Sequence, residues 1–257
     1  HEAPHFDEIV AIWLIEKFAD RKFLKEYAQN GVLEVGIGGG PFDEHPTINQ
    51  ERKEGECAAT LVAKALGVDE DPTLEDILRY VVTQDLKGGA RSFQLPPLVN
   101  LLHRQFPNDP KKVIEWAITG LEAKYQEQLS FFTITKTEFE KVAEIEEVPV
   151  TGQLLPLAII VSDNHQMSKL ALLSRYSSRE VAVLIQQNST GNIQIFTNQK
   201  FGLSLAYVTA MVRWEEQQAK GKMVTTNWQM LQSEGEVEGA EEWHYHLQGE
   251  TLFNGSL

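Results

Sequence analysis

The sequence predicts an α/β fold in two units joined near residue 150. Apolar residues recur at helical spacing through much of the first half, and β-α-β-β-α-β is the element order after residue 155. An acidic segment, Glu138–Val148, closed by Pro149 and Thr151-Gly152, marks the change between the two.

The first unit, residues 1–150, opens with His1-Glu2-Ala3-Pro4-His5-Phe6-Asp7-Glu8, which reads as a loop running into a helix. In that helix Ile9, Ile12, Trp13, Ile15 and Phe18 keep a helical period, and Asp7 and Glu8 sit in the first turn, where the helix dipole favours acids. A short apolar stretch, Gly31–Val35, reads as a strand that ends in the loop Gly36-Ile37-Gly38-Gly39-Gly40-Pro41. A helix follows from about Glu54 to Leu66, stopped by Gly67. The next runs from a Thr73 cap to Asp85 with Leu74, Ile77, Leu78 and Val81 inward. A long helix from Asp109 to Leu129 starts on Pro110 and turns Val113, Trp116, Ala117, Gly120 and Leu121 inward.

In the second unit, residues 151–257, Leu157–Val161 is a strand and Met167–Tyr176 a helix. Glu180–Gln186 and Asn192–Thr197 form a hairpin around Asn188-Ser189-Thr190-Gly191. A helix over Phe201–Lys220 and a strand over Trp243–Gln248 complete it. There is no repeat and no low-complexity tract.

Composition narrows the function classes. An apolar share of 42% supports a packed core, and no run approaches a membrane span. No secretory signal is visible. The single cysteine, Cys57, excludes an internal disulfide framework, makes a reducing cytoplasm the expected setting, and reads as a small core residue. With 37 acidic against 23 basic residues and a net charge of −14, broad binding of long duplexes is disfavoured. Acids gathered around cations would still suit a phosphate ester, because the cations reverse the local field.

His1, His5 and Asp7 share one loop, Glu34 ends the next strand, Asp43-Glu44-His45 follows, and Asp85 ends a later helix. Imidazole and carboxylate together suit Mn, Zn or Fe, and carboxylates can bridge two cations. Lys87 and Arg91 stand just beyond Asp85, where they would neutralise a substrate phosphate. The glycine run 38–40 lacks the Lys-Ser/Thr of a P-loop, so close backbone approach is its better reading. His244 and His246, two apart on a strand, share a face and are further candidates for metal or substrate.

These residues carry a resemblance. His1-Glu2-Ala3-Pro4-His5-Phe6-Asp7 is similar to the first motif of the DHH phosphoesterase superfamily, His-x-x-Pro-Asp-x-Asp, with His5 in place of the first Asp. Phe42-Asp43-Glu44-His45 resembles the Asp-His-His signature, with Glu44 in place of the middle His. The likeness is nearer to the melanocyte-proliferating-gene-type exonuclease branch, also called metal-dependent protein hydrolases. That branch has a second histidine in motif one, as His5 is here, followed by Asp-Glu, as Asp7-Glu8 are. Its Asp-Val-Gly is echoed by Glu34-Val35-Gly36. The likeness covers residues 1 to about 90 and extends to the rest only in element order.

The resemblance implies a DHH-like parallel sheet flanked by helices, followed by a smaller C-terminal α/β domain. It implies two divalent cations, manganese above all, held by His1, His5, Asp7, Glu34, Asp43 and Asp85, with Glu34 as the bridging carboxylate. Glu44 and His45 would serve the chemistry, His45 protonating the leaving oxygen or orienting the phosphate. Lys87, Arg91 and His246 would hold the substrate, a nucleotide or short single-stranded nucleic acid, in a cleft between the two units. Alternatives are a hydrolase of another small phosphate such as pyrophosphate, or a degenerate, non-catalytic binding protein of the same fold. A homodimer is compatible with all three.

Overall fold

The computed structural model describes residues 3–45, 53–150, 152–172, 181–221 and 227–254. The chain separates into two compact units, His1–Phe132 and Thr133–Leu257, so the junction falls ahead of residue 150. The architecture is mixed α/β, with helices in the first unit and a six-stranded sheet with helices in the second.

The first unit is built from α1 (Phe6–Phe18), α2 (Arg21–Tyr27), α3 (Ala58–Leu66), α4 (Glu75–Lys87), α5 (Leu95–Gln105) and α6 (Pro110–Ser130). Its centre is α1, which is apolar on every side and therefore needs covering on every side. Ile9, Val10, Ala11, Trp13 and Leu14 are all buried. Helix α3 packs on α1 through Ala58, Ala59, Val62 and Ala63, whose small side chains let the two backbones approach. Gly67, at φ +69°, stops α3 in the left-handed conformation that glycine adopts without penalty. From α6, Glu122 accepts from Trp13 Nε1 at 3.2 Å and from Lys17 Nζ at 2.9 Å, tying the far end of α1 in place.

The parallel sheet expected in this unit is not what its described residues form. Gly31–Val35 contributes only an isolated bridge, Gln29 to Val32, with Val32 and Glu34 exposed. A five-residue segment gains strand character only from partners on both edges, and the neighbouring segments follow the helical period. Helices α2 and α5 were not read from the sequence. In α6 the inward face is Val113, Ala117 and Leu121, while Trp116 and Gly120 lie outside.

The second unit starts with α7 (Lys136–Val142), after a π-helical turn at Phe131–Thr135. It continues as β1 (Glu144–Val150), β2 (Gln153–Val161), α8 (Met167–Leu172), β3 (Val183–Gln187), β4 (Ile193–Thr197), α9 (Ala206–Ala219), α10 (Trp228–Leu231), β5 (Trp243–His246) and β6 (Thr251–Asn254). The strand order is β1-β2-β3-β4-β6-β5, and β2–β3 is the parallel pair. The acidic segment read as the change between the two units supplies most of α7 and β1. Glu144, Glu146, Glu147 and Pro149 suit an edge strand, where charge and a missing N–H discourage further pairing. No described helix is long and apolar enough to cross a membrane.

Buried Arg213 on α9 holds the segment that leads from α10 into β5. Its guanidinium donates to the carbonyls of Leu231 (2.8 Å), Ser233 (2.8 Å), Trp243 (2.9 Å) and Gly235. Arg213→Met keeps the stem and takes the guanidinium donors from those carbonyls, Gly235 O keeping the Tyr245 N–H, so it should lower unfolding free energy by about 3–5 kcal/mol in urea titration. A loss below about 1 kcal/mol would mean that the fork is incidental to the fold.

Candidate metal centre

The site is assembled by three elements meeting at the N-terminus of α1. The first is α1 itself, whose opening turn places Asp7 and Glu8 in the interior, 6% and 4% exposed. Glu8, three residues into the helix, reaches back to accept from the His5 backbone N–H, half of a capping box. The second element is α4. Ile77 and Val81 are buried and four residues apart, and Asp85 continues that stripe by one more turn, emerging beside Asp7 at the end of the core.

The third is the loop from Glu34 to His45. Phe42 anchors it by packing against Phe23 and Tyr27, with ring centroids at 5.8 and 5.0 Å. Gly36 N–H donates to Phe42 O at 2.9 Å, closing the loop on itself. Gly36 has φ +69°, and a Cβ there would lie 2.4 Å from Glu8 Oε1, so both the turn and the passage past α1 require glycine. Lys53 adds a clamp, its ammonium donating to the carbonyls of Pro41 and Asp43, both at 2.9 Å.

Two donor groups result. Asp7, Glu44 and Asp85 each place an oxygen within 4.8 Å of the others, and so do the ligand atoms of Asp43, Glu44 and His45. A hard cation bonded at about 2.1–2.4 Å brings its donors to such separations. Glu44 belongs to both groups. It is 2% exposed, and its Oε2 has no hydrogen-bond partner among the described residues. Gln84 Oε1 is a second buried oxygen without a partner, and Gln84 lines a cavity of about 170 Å³ together with His5, Asp7 and Asp85. Buried acceptors left unpaired are costly, and an ion is one of the few things that satisfies several at once.

The carboxylates are tuned apart. Burial, reinforced by the charges of Asp85, Glu44 and Glu8, pushes Asp7 up to about 6. Burial likewise raises Glu44, with Asp85 and Asp43 adding to it, and raises Glu8. Asp43 moves the other way. Burial pushes it up, but N–H donors from Gly39 (2.8 Å) and His45 (3.0 Å), with the His45 ring at 2.9 Å, outweigh that and hold it below the usual range. Cys57 lies close enough to Asp7 and Asp85 to feel their charge, but burial comes first in pushing its thiol to about 11, so it stays protonated at neutral pH.

Of the residues singled out from the sequence, Asp7, Asp43, Glu44, His45 and Asp85 come together. His5 lines the same cavity without joining either donor group. Glu34 does not join them. It is exposed, its carboxylate lies over Gly38, and it lines a different depression with Glu8 and Ile12. A strand would have carried it to a sheet edge, and there is no strand. His1 lies outside the described residues. Lys87, two residues after Asp85, points to another side of α4, and exposed Arg91 donates its backbone N–H to Gln94. His246 belongs to the second unit, where its Nδ1 accepts from Gly249 N–H at 3.0 Å. Lys53 and Gln84 carried no signal in the sequence, since neither stands in a motif.

An acid whose folded value is raised contributes a penalty that grows as pH climbs from its ordinary value, 3.8, and is complete above about 6. In cation-free buffer Asp7→Asn should therefore stabilise the protein by roughly 2–3 kcal/mol at pH 7 and by only about 0.5 kcal/mol near pH 4. Chemical denaturation at the two pH values measures this, and equal effects at both would contradict the raised Asp7.

The chain matches no family model, no curated protein and no solved structure.

Proposed function

We propose that the cluster at the start of α1 binds divalent cations, manganese being the best suited, and that the protein hydrolyses phosphate esters there. The observation that carries this reading is Glu44, a fully buried carboxylate common to two donor groups and with one oxygen unpartnered. The donor set is carboxylate oxygen, which fits a hard divalent metal. Asp7 and Asp85 would hold one cation and Asp43 another, with Glu44 shared between them. The shared carboxylate is thus Glu44 and not Glu34, a rearrangement of the pattern that the sequence resemblance implies.

A cation bound there supplies a water of lowered pKa and offsets phosphoryl charge. The chain's own groups do the rest. Asp43 accepts from His45 Nδ1 at 2.9 Å, which fixes the ring and leaves the opposite nitrogen as the one to meet a leaving oxygen. The His45 side chain is 58% exposed, so it stands at the rim where a substrate arrives. Lys53 holds the carbonyl of Asp43, so the acidic loop keeps its shape when charge enters. The substrate class we infer is a small phosphorylated compound, a nucleotide or the end of a short single strand. Cytoplasmic placement fits a lone thiol kept protonated by burial.

Glu34 supports a second reading, cation binding without turnover, because the bridging acid of the resembled pattern stands outside the centre. One experiment separates the two. Manganese should raise the melting temperature of the wild-type protein and bind by calorimetry, and Glu44→Gln should weaken that binding by about tenfold or more. Turnover of bis(4-nitrophenyl) phosphate or pyrophosphate in manganese, lost in Glu44→Gln, establishes hydrolysis. Binding without turnover selects the second reading. If millimolar manganese neither binds nor stabilises, both readings fail.

A further inference from the structure

We propose that the second unit carries a separate binding site for a neutral, amino-bearing nucleobase, built on the carboxyl ends of β2 and β3. A cavity of about 410 Å³ opens there, lined by Ser162, Asp163, His165, Gln186, Asn188 and Gln194 among others. The ends of parallel strands are where open sheets leave room for ligands, and β2–β3 is the parallel pair of this sheet.

The central residue is Gln186, 4% exposed and in the interior of β3. A buried carboxamide in a strand is unusual unless its polar atoms have work to do. Its Nε2 donates to Ser162 O at 2.8 Å and to Asn164 O at 3.1 Å. Both partners are carbonyls, so the amide orientation is dictated by chemistry: the nitrogen must face them and its two hydrogens are taken. Oε1 remains as an acceptor of fixed direction, with no donor to it among the described residues.

Register extends the site. Gln186 is paired with Gln194, Gln194 with Phe253, and Phe253 with His244, so these four share one face across β3, β4, β6 and β5. The half-buried Gln194 amide makes no hydrogen bond among the described residues. Phe253 and His244 stack with centroids 5.0 Å apart and planes 23° apart. A fixed acceptor, an adjustable amide and a flanking aromatic surface match a planar heterocycle with donors and acceptors side by side on its edge.

Two features narrow the ligand. A fixed carbonyl oxygen requires a donor, and when it meets the exocyclic group of the base, adenine and cytosine supply an amine where hypoxanthine and uracil present an oxygen. Neither Lys nor Arg is among the described lining residues, so a phosphate gains nothing there. The site stands apart from the cation reading, since all the residues named belong to the second unit.

Calorimetry on the full chain with adenosine, cytidine, inosine and uridine tests this directly. Adenosine or cytidine should bind roughly 5- to 150-fold more tightly than inosine or uridine, and adenosine no more weakly than its 5′-monophosphate. Gln194→Leu, which breaks no hydrogen bond of the described structure, should retain the wild-type melting temperature and weaken binding by about tenfold. Gln186→Leu should abolish binding, and if it fails to fold, Gln194→Leu decides. Absence of saturable binding to about 5 mM, equal binding of all four nucleosides, tighter binding of the monophosphate, or an unchanged affinity in Gln194→Leu would each overturn the proposal.

Discussion

The first unit depends on one constraint: α1 is apolar on all sides, yet it begins with two acids. A helix of that kind must be surrounded, and α3, α4, α5 and α6 surround it. Enclosing the helix also encloses its first turn, so Asp7 and Glu8 enter the interior whether or not burial suits a carboxylate. The helix dipole and the His5 N–H ease the position of Glu8. Asp7 shares the dipole and accepts from the Glu8 backbone N–H, but burial and the charges of Asp85 and Glu44 outweigh them. The same packing that forms the core therefore concentrates acid at one corner of it.

Adjacent acids in this corner behave differently because their hydrogen-bond donors differ. Asp43 and Glu44 are neighbours in sequence and both are buried. Asp43 turns toward the glycine loop and collects N–H donors, so its charge is held by the backbone. Glu44 turns toward Asp7 and finds other acids. One residue fixes the loop and its histidine, and the other stands among like charges with an oxygen unpartnered among the described residues.

Much of the helical part was legible in the sequence because the 3.6-residue period is a local signal. The stretches around Ile9–Phe18, Leu74–Val81 and Val113–Leu121 all become helices. The hairpin at Asn188–Gly191 was legible for a similar reason, since Asn188 Oδ1 collects Thr190 N–H and Asn192 N–H within the turn itself. What failed depended on partners. Gly31–Val35 has strand composition without a sheet to join, and Glu144–Val150 has the charge of a linker but β2 beside it. In the site, Asp7, Asp43 and Asp85 stood out as acids at element ends, and the structure gathers them. Glu34 looked equivalent and is not, because its place relied on the missing strand. Lys53, whose clamp acts on main-chain carbonyls, has no counterpart side chain from which it could have been inferred.

Main-chain recognition recurs in Arg213, and there it bears on how the second unit can drift in sequence. Every acceptor of that guanidinium is a peptide carbonyl, so no partner side chain has to be kept for the interaction to survive. Exposed positions such as Glu234 and Glu236 can change identity while the path of the chain past Arg213 stays the same. The burden of constancy falls on a single residue of α9. In divergent copies of this chain, that arginine should outlast most of the segment it holds.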